Sequence, residues 1–221
     1  DRGRNPSVGL SVQGGTVTVC LRARAEDDEA AARLLDADQE VVKERCGDSV
    51  YGVSEGADRF ALARAVSDLL KESGDTIAVA ESCTGGEIGS LLVDIPGISR
   101  FFLLDVVAYS NGAKMDLLDV PSEQIESVGA VSAEVAVSMA RGVCEAAGAD
   151  LGVSTTGIAG PTGGSEEKPV GLVYVGVCLR GRCRSYRLEL KGDRWRVKDR
   201  AAKHALNFAR LALLHEGYIE K

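Results

Sequence analysis

At 221 residues, with 45% hydrophobic and 27% charged side chains, the chain has an ordinary globular composition and enough length for one large or two small domains around a well-buried core. No apolar run approaches the about 18 residues of a membrane helix, and the start Asp1-Arg2-Gly3-Arg4 lacks a secretory apolar region, so the expected location is the cytoplasm. A net charge of −7 argues against a general nucleic-acid coat.

Val8 to Val12 and Thr16 to Leu21, alternating or β-branched around Gln13-Gly14-Gly15, predict a hairpin. Glu26 to Arg45 is acidic at its start and basic at its end, with Ala30, Leu34, Leu35, Ala37, Val41 and Val42 at helical spacing. Gly47 stops that helix. Ser49 to Val53 reads as a third short strand and Ser54-Glu55-Gly56 as a linker, which closes a small α+β module over residues 1–55.

Asp58 then caps a helix whose Phe60, Ala63, Val66, Leu69 and Leu70 share a face, and Gly74 ends it. Thr76 to Ala80 is the next strand. A tight turn, Ala80-Glu81-Ser82-Cys83-Thr84-Gly85-Gly86, leads from it into a helix over Glu87 to Val93, with Ile88, Leu91 and Leu92 buried. Asp105 to Tyr109 is a second strand ending in the polar stretch Ser110-Asn111-Gly112-Ala113-Lys114. Pro121 to Ser127 is a short helix with proline in its first turn, and Ser132 caps a long one carrying Val135, Met139, Val143 and Ala146 on one side, closed by Gly148. Leu151 to Thr156 is a buried strand, and Gly171 to Leu179, apolar on both faces, a central one. The loop between them, Gly157 to Val170, has the length of a functional loop, although its glycines match no Walker or dinucleotide fingerprint. Cys183 to Leu190 returns as a hairpin, and Asp193 caps the final helix, whose Val197, Ala201, Ala205, Phe208, Leu211 and Ala212 face the core. Helices alternate with strands throughout residues 56–221, which predicts an α/β fold, a three-layer α/β/α sandwich behind the small α+β module.

Three polar clusters fall at predicted strand ends: Ser82 to Gly86, Tyr109 to Lys114, and Thr155 to Gly160. Ligands of such sheets bind at strand ends. Ser82 beside the unpaired amides of Thr84, Gly85 and Gly86 reads either as a nucleophile next to its oxyanion hole or as a helix N-cap. His204 and His215, eleven apart on the last helix, stand too far apart for one metal ion and read as structural. With no histidine placed for a triad, Lys114 is the candidate base, since a desolvated lysine releases its proton more readily, and Tyr109 could relay it; the alternative readings are a surface lysine opening a helix and a half-buried strand tyrosine. Cys83 is either a rival nucleophile or a small packing residue. The six cysteines show no C-x-x-C pair, which argues against a zinc site or a disulfide framework; Cys178 and Cys183 could oppose each other across a hairpin, but a reducing compartment predicts free thiols. Arg180 to Lys203 holds ten Lys or Arg and three Asp or Glu, a segment able either to face a phosphate or to form a solvated surface.

Five ordered motifs then carry a resemblance: Ala80-Glu81-Ser82-Cys83-Thr84-Gly85-Gly86; Val106-Val107-Ala108-Tyr109-Ser110-Asn111 with Lys114; Gly129-Ala130-Val131-Ser132; Thr156-Gly157-Ile158-Ala159-Gly160-Pro161; and Lys168-Pro169-Val170-Gly171. Over about Asp58 to Leu214 the sequence closely resembles the CinA C-terminal domain family, the nicotinamide-nucleotide amidases. Residues 1–55 resemble the middle module that precedes this domain in full-length CinA proteins. The N-terminal domain of those proteins, associated with ADP-ribose pyrophosphatase activity, has no counterpart here. With no initiating Met, the chain is expected to be a fragment or processed product. The resemblance implies hydrolysis of nicotinamide mononucleotide to nicotinic acid mononucleotide and ammonia, with no metal and no cofactor. Ser82 would be the nucleophile, Lys114 its base and Tyr109 an assistant, while Cys83, Thr84, Gly85, Gly86, Thr156, Gly157 and Gly160 would hold the substrate. The expected partners are a pyridine mononucleotide and a second copy in a homodimer, without membrane or nucleic acid. The alternative is a nucleotide-binding or scaffold module without turnover that serves DNA uptake or repair; a nucleic-acid-binding role for residues 1–55 has little support from their balanced charge. Two departures bear on affinity: the acidic Ser165-Glu166-Glu167, and Lys198 where an arginine is common, which keeps the charge but loses the bidentate fork.

Overall fold

The alternating start of the chain pairs as an antiparallel hairpin, β1 (Ser7–Gln13) with β2 (Thr16–Arg22), turning at Gly14 and Gly15. Both glycines have positive φ, a conformation open to glycine without steric cost. Helix α1 (Asp28–Cys46) begins at Asp27, whose side chain accepts the Ala30 N–H, and ends at Gly47. Its acids fall in the first turn and its bases in the last, as the helix dipole favours. The strand expected over Ser49 to Val53 does not form. Gly47–Ser49 is a 3-10 turn, residues 50–54 carry no regular structure, and Val53 is 64% exposed. A strand needs a neighbour for its amides; here Tyr51 instead reaches Thr16 through its hydroxyl, at 3.0 Å.

This computed structural model describes residues 3–56, 58–215 and 218, so Asp1-Arg2 of the charged start lie outside the described residues. The chain divides into two compact units, Asp1–Ala61 and Leu62–Lys221. The second holds a five-stranded sheet in the order β4-β3-β5-β6-β7, formed by β3 (Ile77–Glu81), β4 (Phe102–Val107), β5 (Leu151–Gly157), β6 (Leu172–Leu179) and β7 (Arg182–Glu189). β4, β3 and β5 run parallel, while β6 and β7 return antiparallel. The helices are α2 (Ala61–Ser73), α3 (Glu87–Val93), α4 (Asn111–Leu118), α5 (Ser122–Val128), α6 (Ala133–Ala147) and α7 (Arg194–Leu214).

Strand alternation sorts these helices to two faces. Ala78 and Ala80 of β3 pack with Val135, Met139 and Val143 of α6 and Leu118 of α4. Their neighbours on β3, Val79 and Glu81, point the opposite way, and Glu81 meets α3 there. α7 packs on α3 and on β5 and β6. The α/β/α sandwich read from the sequence is therefore the fold. The polar stretch after β4 is more than a strand end: Ser110 accepts the Ala113 N–H at 3.0 Å and opens α4. Antiparallel register sets Cys178 opposite Cys183 with Cα atoms 4.0 Å apart, and the two are joined in a disulfide, where free thiols were expected. Directly opposed residues share one face of the sheet, which brings their side chains together.

α6 lies so close to the sheet that glycine is required beneath it. A Cβ at Gly152 would fall 2.0 Å from the Ala140 carbonyl oxygen, and one at Gly176 would fall 2.1 Å from that of Ala136. Gly152→Ala is therefore expected to destabilise the chain by about 1–3 kcal/mol through overpacking, read as a lower urea midpoint at unchanged slope.

Candidate active site

Because β4, β3 and β5 are parallel neighbours, the turns that follow them gather at one edge of the sheet. Ser82 leaves β3, Tyr109 follows β4, and Gly157 ends β5. The first turn of α4 then carries Lys114 back toward Ser82. Its side chain is 2% exposed, and Nζ lies 3.0 Å from Ser82 Oγ. Nζ also donates to the carbonyl oxygens of Ala108 (2.8 Å) and Tyr109 (3.4 Å). Burial holds this amine below the ordinary lysine range, with a lesser opposite pull from Cys83.

Ser82 does not cap the next helix. The N-cap of α3 is Gly86, at φ 93°, without a side-chain cap. Glu81 replaces it: one carboxylate oxygen accepts the Gly86 N–H and the other the Gly89 N–H, each at 2.9 Å. Gly86 is therefore removed from the expected set of oxyanion donors, since its N–H is already engaged. Cys83 is buried, and burial pushes its thiol up to about 12, so it stays protonated and packs, in place of competing as a nucleophile.

The third cluster joins through Thr155. Its carbonyl accepts the Ser82 N–H at 3.1 Å, and its hydroxyl pairs with that of Thr84 at 2.7 Å. Thr156 faces the other side of the sheet and donates to the Ala130 carbonyl at 2.7 Å, with 1% of its surface exposed. Gly157 sits tightly under the Leu172 carbonyl, and Gly160 presents its own carbonyl to Arg194 at 2.8 Å. Arg194 also donates to the Tyr109 hydroxyl at 2.8 Å, so the Tyr109 ring, 62% exposed, is turned to the arginine, and its link to Lys114 runs through the main chain. Lys198, one turn further along α7, brings Nζ to Gly85, which is exposed. Other cations of the basic segment are spent elsewhere: Arg180 on Asp75, Arg187 on Glu189, Arg196 on Asp193 and Lys203 on Asp199.

Sequence reasoning did not single out Glu81, Thr155 or Arg194. For Glu81 the available signal was a lone acid ending an apolar strand, a position that requires partners. His204 stacks near Phe208 and His215 closes α7 through its N–H on Leu211, in keeping with structural histidines. Among the described residues no group of three His, Cys, Asp or Glu side chains gathers to hold a metal ion.

Residues 59–213 match the CinA C-terminal domain family, and residues 1–52 match the damage-inducible protein CinA KH domain family. A CinA-like protein of Kosmotoga olearia is 43% identical over 210 residues, covering 95% of this chain and 50% of that protein. A CinA-like protein of Dictyoglomus thermophilum is 44% identical over 211 residues, covering 96% and 50%. The chain thus spans about half the length of these relatives. Among solved structures, the competence/damage inducible protein CihA from Agrobacterium tumefaciens superposes with a TM-score of 0.69 at 36% identity, covering 74% of this chain and 100% of that one. The CinA superfamily protein from Escherichia coli gives 0.68 at 31%, covering 77% and 98%. Matched over most of its length and superposing on solved relatives at this level, the chain belongs to the CinA family.

Proposed function

We propose that this chain hydrolyses the carboxamide of nicotinamide mononucleotide, giving nicotinic acid mononucleotide and ammonia, with Ser82 as nucleophile and Lys114 as base. The observation that carries this reading is the buried 3.0 Å contact between Nζ and Oγ. A neutral amine has two hydrogens and one lone pair. The Ala108 and Tyr109 carbonyls take the hydrogens, which leaves the lone pair for the Ser82 hydroxyl. Burial favours that neutral form by holding the amine below its ordinary value.

In the proposed first step the Ser82 proton passes to Nζ as Oγ bonds to the carboxamide carbon. The amides of Thr84 and Gly85, which have no hydrogen-bond partner among the described residues, stabilise the oxyanion. Collapse breaks the C–N bond, and ammonia departs with the proton that Lys114 returns. A water, deprotonated by Lys114, then attacks the Ser82 ester, and the serine regains its hydrogen. Arg194 and Lys198 supply positive charge at the rim for the substrate phosphate. Tyr109 is assigned to holding Arg194 in place, with its carbonyl orienting Lys114. The proposed setting is a cytoplasmic homodimer; no helix among the described residues is long and apolar enough to cross a membrane.

Ammonia release from nicotinamide mononucleotide is expected to fall at least about a thousandfold in Ser82→Ala and about a hundredfold or more in Lys114→Met. Undiminished turnover in Ser82→Ala would sink the assignment, and ligand-induced thermal stabilisation without product would leave a binding module. Loss of the Lys114 proton should raise the rate with pH through a midpoint below the ordinary lysine value, because the amine must lose its proton first. The sign for stability follows from the same shift. Between the lowered folded value and the ordinary value of 10.5 the unfolded chain holds more protons, so stability rises with pH there, and Lys114→Met should abolish that slope in thermal melts. Arg194→Ala is expected to raise KM about tenfold with a smaller change in kcat.

A further inference from the structure

The proposed chemistry gives no role to the most deeply buried acid near the nucleophile. Glu81 has no exposed surface and grips the amides of Gly86 and Gly89, the two positions that set the path from Ser82 into α3. A second carboxyl accompanies it. Register pairs Val79 with Asp105 and Glu81 with Val107, so Asp105 and Glu81 lie diagonally on one face of neighbouring strands. Both carboxyls converge on Gly89, whose N–H Glu81 accepts, and the neighbouring Glu81 acts on Asp105. Gly89 makes the room for this, since a Cβ there would fall 2.0 Å from Asp105 Oδ2. Among the described residues Asp105 Oδ1 is buried with no hydrogen-bond partner. An orphaned oxygen is tolerable on a neutral acid and costly on an anion.

Two carboxyl groups in contact cannot both ionise at low cost. Glu81 accepts an N–H at each oxygen and is the acceptor of the pair; Asp105 is its acid. We infer that Asp105 is a positioning residue, a neutral acid whose hydrogen bond to Glu81 keeps the Gly86 and Gly89 clamp closed and so holds the Ser82 turn in its reactive shape. Loss of that proton sets two anions against each other and loosens the clamp. Burial and the neighbouring Glu81 push Asp105 up to about 7, which places the change close to neutrality. Of the charged groups on the surrounding elements, Glu81 of β3 is the one that acts on Asp105. α3 presents Gly89 to it, and Glu87 starts that helix; Lys198 of α7 reaches Gly85; and Lys114 of α4 and Glu81 both act on Cys83. In its effect on turnover this inference rests on the amidase reading, whereas the clamp itself does not.

The test is carbon-detected carboxyl NMR of the whole chain, together with exchange protection of the Gly86 and Gly89 amides and the pH profile of ammonia release. In the wild type the Asp105 carboxyl should titrate with a midpoint near 7, and amide protection, corrected for intrinsic exchange, should drop about tenfold above it. Asp105→Asn keeps a donor to Glu81 but cannot titrate; it should retain the protection at high pH and, if the amidase reading holds, turn over faster than the wild type above neutrality. Gly89→Ala, which drives a methyl into Asp105, should lose protection at every pH and is the check if Asp105→Asn fails to fold. A midpoint near 4, or the same loss of protection in Asp105→Asn, would overturn the inference. Protection that follows the proton in a chain releasing no ammonia would uphold the clamp and remove the amidase reading alone.

Discussion

Everything at the candidate site depends on placing an amine where water does not reach. A buried ammonium without partners would be strongly destabilising, and a solvated lysine would be protonated at neutral pH and useless as a base. Around Lys114 two main-chain carbonyls and one hydroxyl surround Nζ and give its hydrogens partners, while burial lowers its hold on the proton. That arrangement requires a strand, a turn and a helix in close succession. β4 ends at Val107, the chain exposes the carbonyls of Ala108 and Tyr109, and Ser110 starts α4 so that Lys114 falls back over both.

The sheet supplies the remaining geometry. Its parallel half delivers the ends of β3, β4 and β5 side by side, and its antiparallel half extends the core under α6 and α7. Glycine under α6 allows a helix to press onto the strands, which keeps the parallel half from shifting beneath the site. On the opposite face Glu81 ties α3 to the end of its own strand, and Arg194 of α7 joins the Tyr109 and Gly160 turns. The middles of β3 and β5 are buried and carry no charged side chain, so on these strands charge falls only at the end, at Glu81.

The order and type of the elements in the larger unit were legible because each one has a clear period and a chemical stop: Ser132 and Gly148 around α6, Asp193 before α7, Arg180-Gly181 between β6 and β7. Failures came where pairing decides. Val50 to Val53 has strand-like residues but no neighbouring strand to accept its amides. Cys178 and Cys183 could be placed opposite each other from the turn, yet their bonding was misjudged from the presumed compartment. Tyr109 was read as a phenol near the base, when only the direction of the chain after β4 determines that its carbonyl faces inward and its ring outward. Thr155 and Thr156 differ by one residue, and alternation sends them to opposite faces, so one meets the Ser82 to Gly86 turn and the other the Ala130 carbonyl ahead of α6.

The sequence by itself determined the α/β class, the three polar clusters and the family, since periodicity, caps and ordered motifs are properties of the chain read along its length. It also offered Ser82 as a nucleophile or a helix cap and Lys114 as the candidate base, because no histidine was placed to compete, and the resemblance chose between those readings. The tertiary structure alone decided what each group touches: that Glu81, not Ser82, caps α3, that Arg194 holds Tyr109, and that Asp105 finds Glu81 through the space left by Gly89. Those contacts join residues distant in sequence or on different strands, and their chemistry is set by burial and register, which exist only once the sheet has formed.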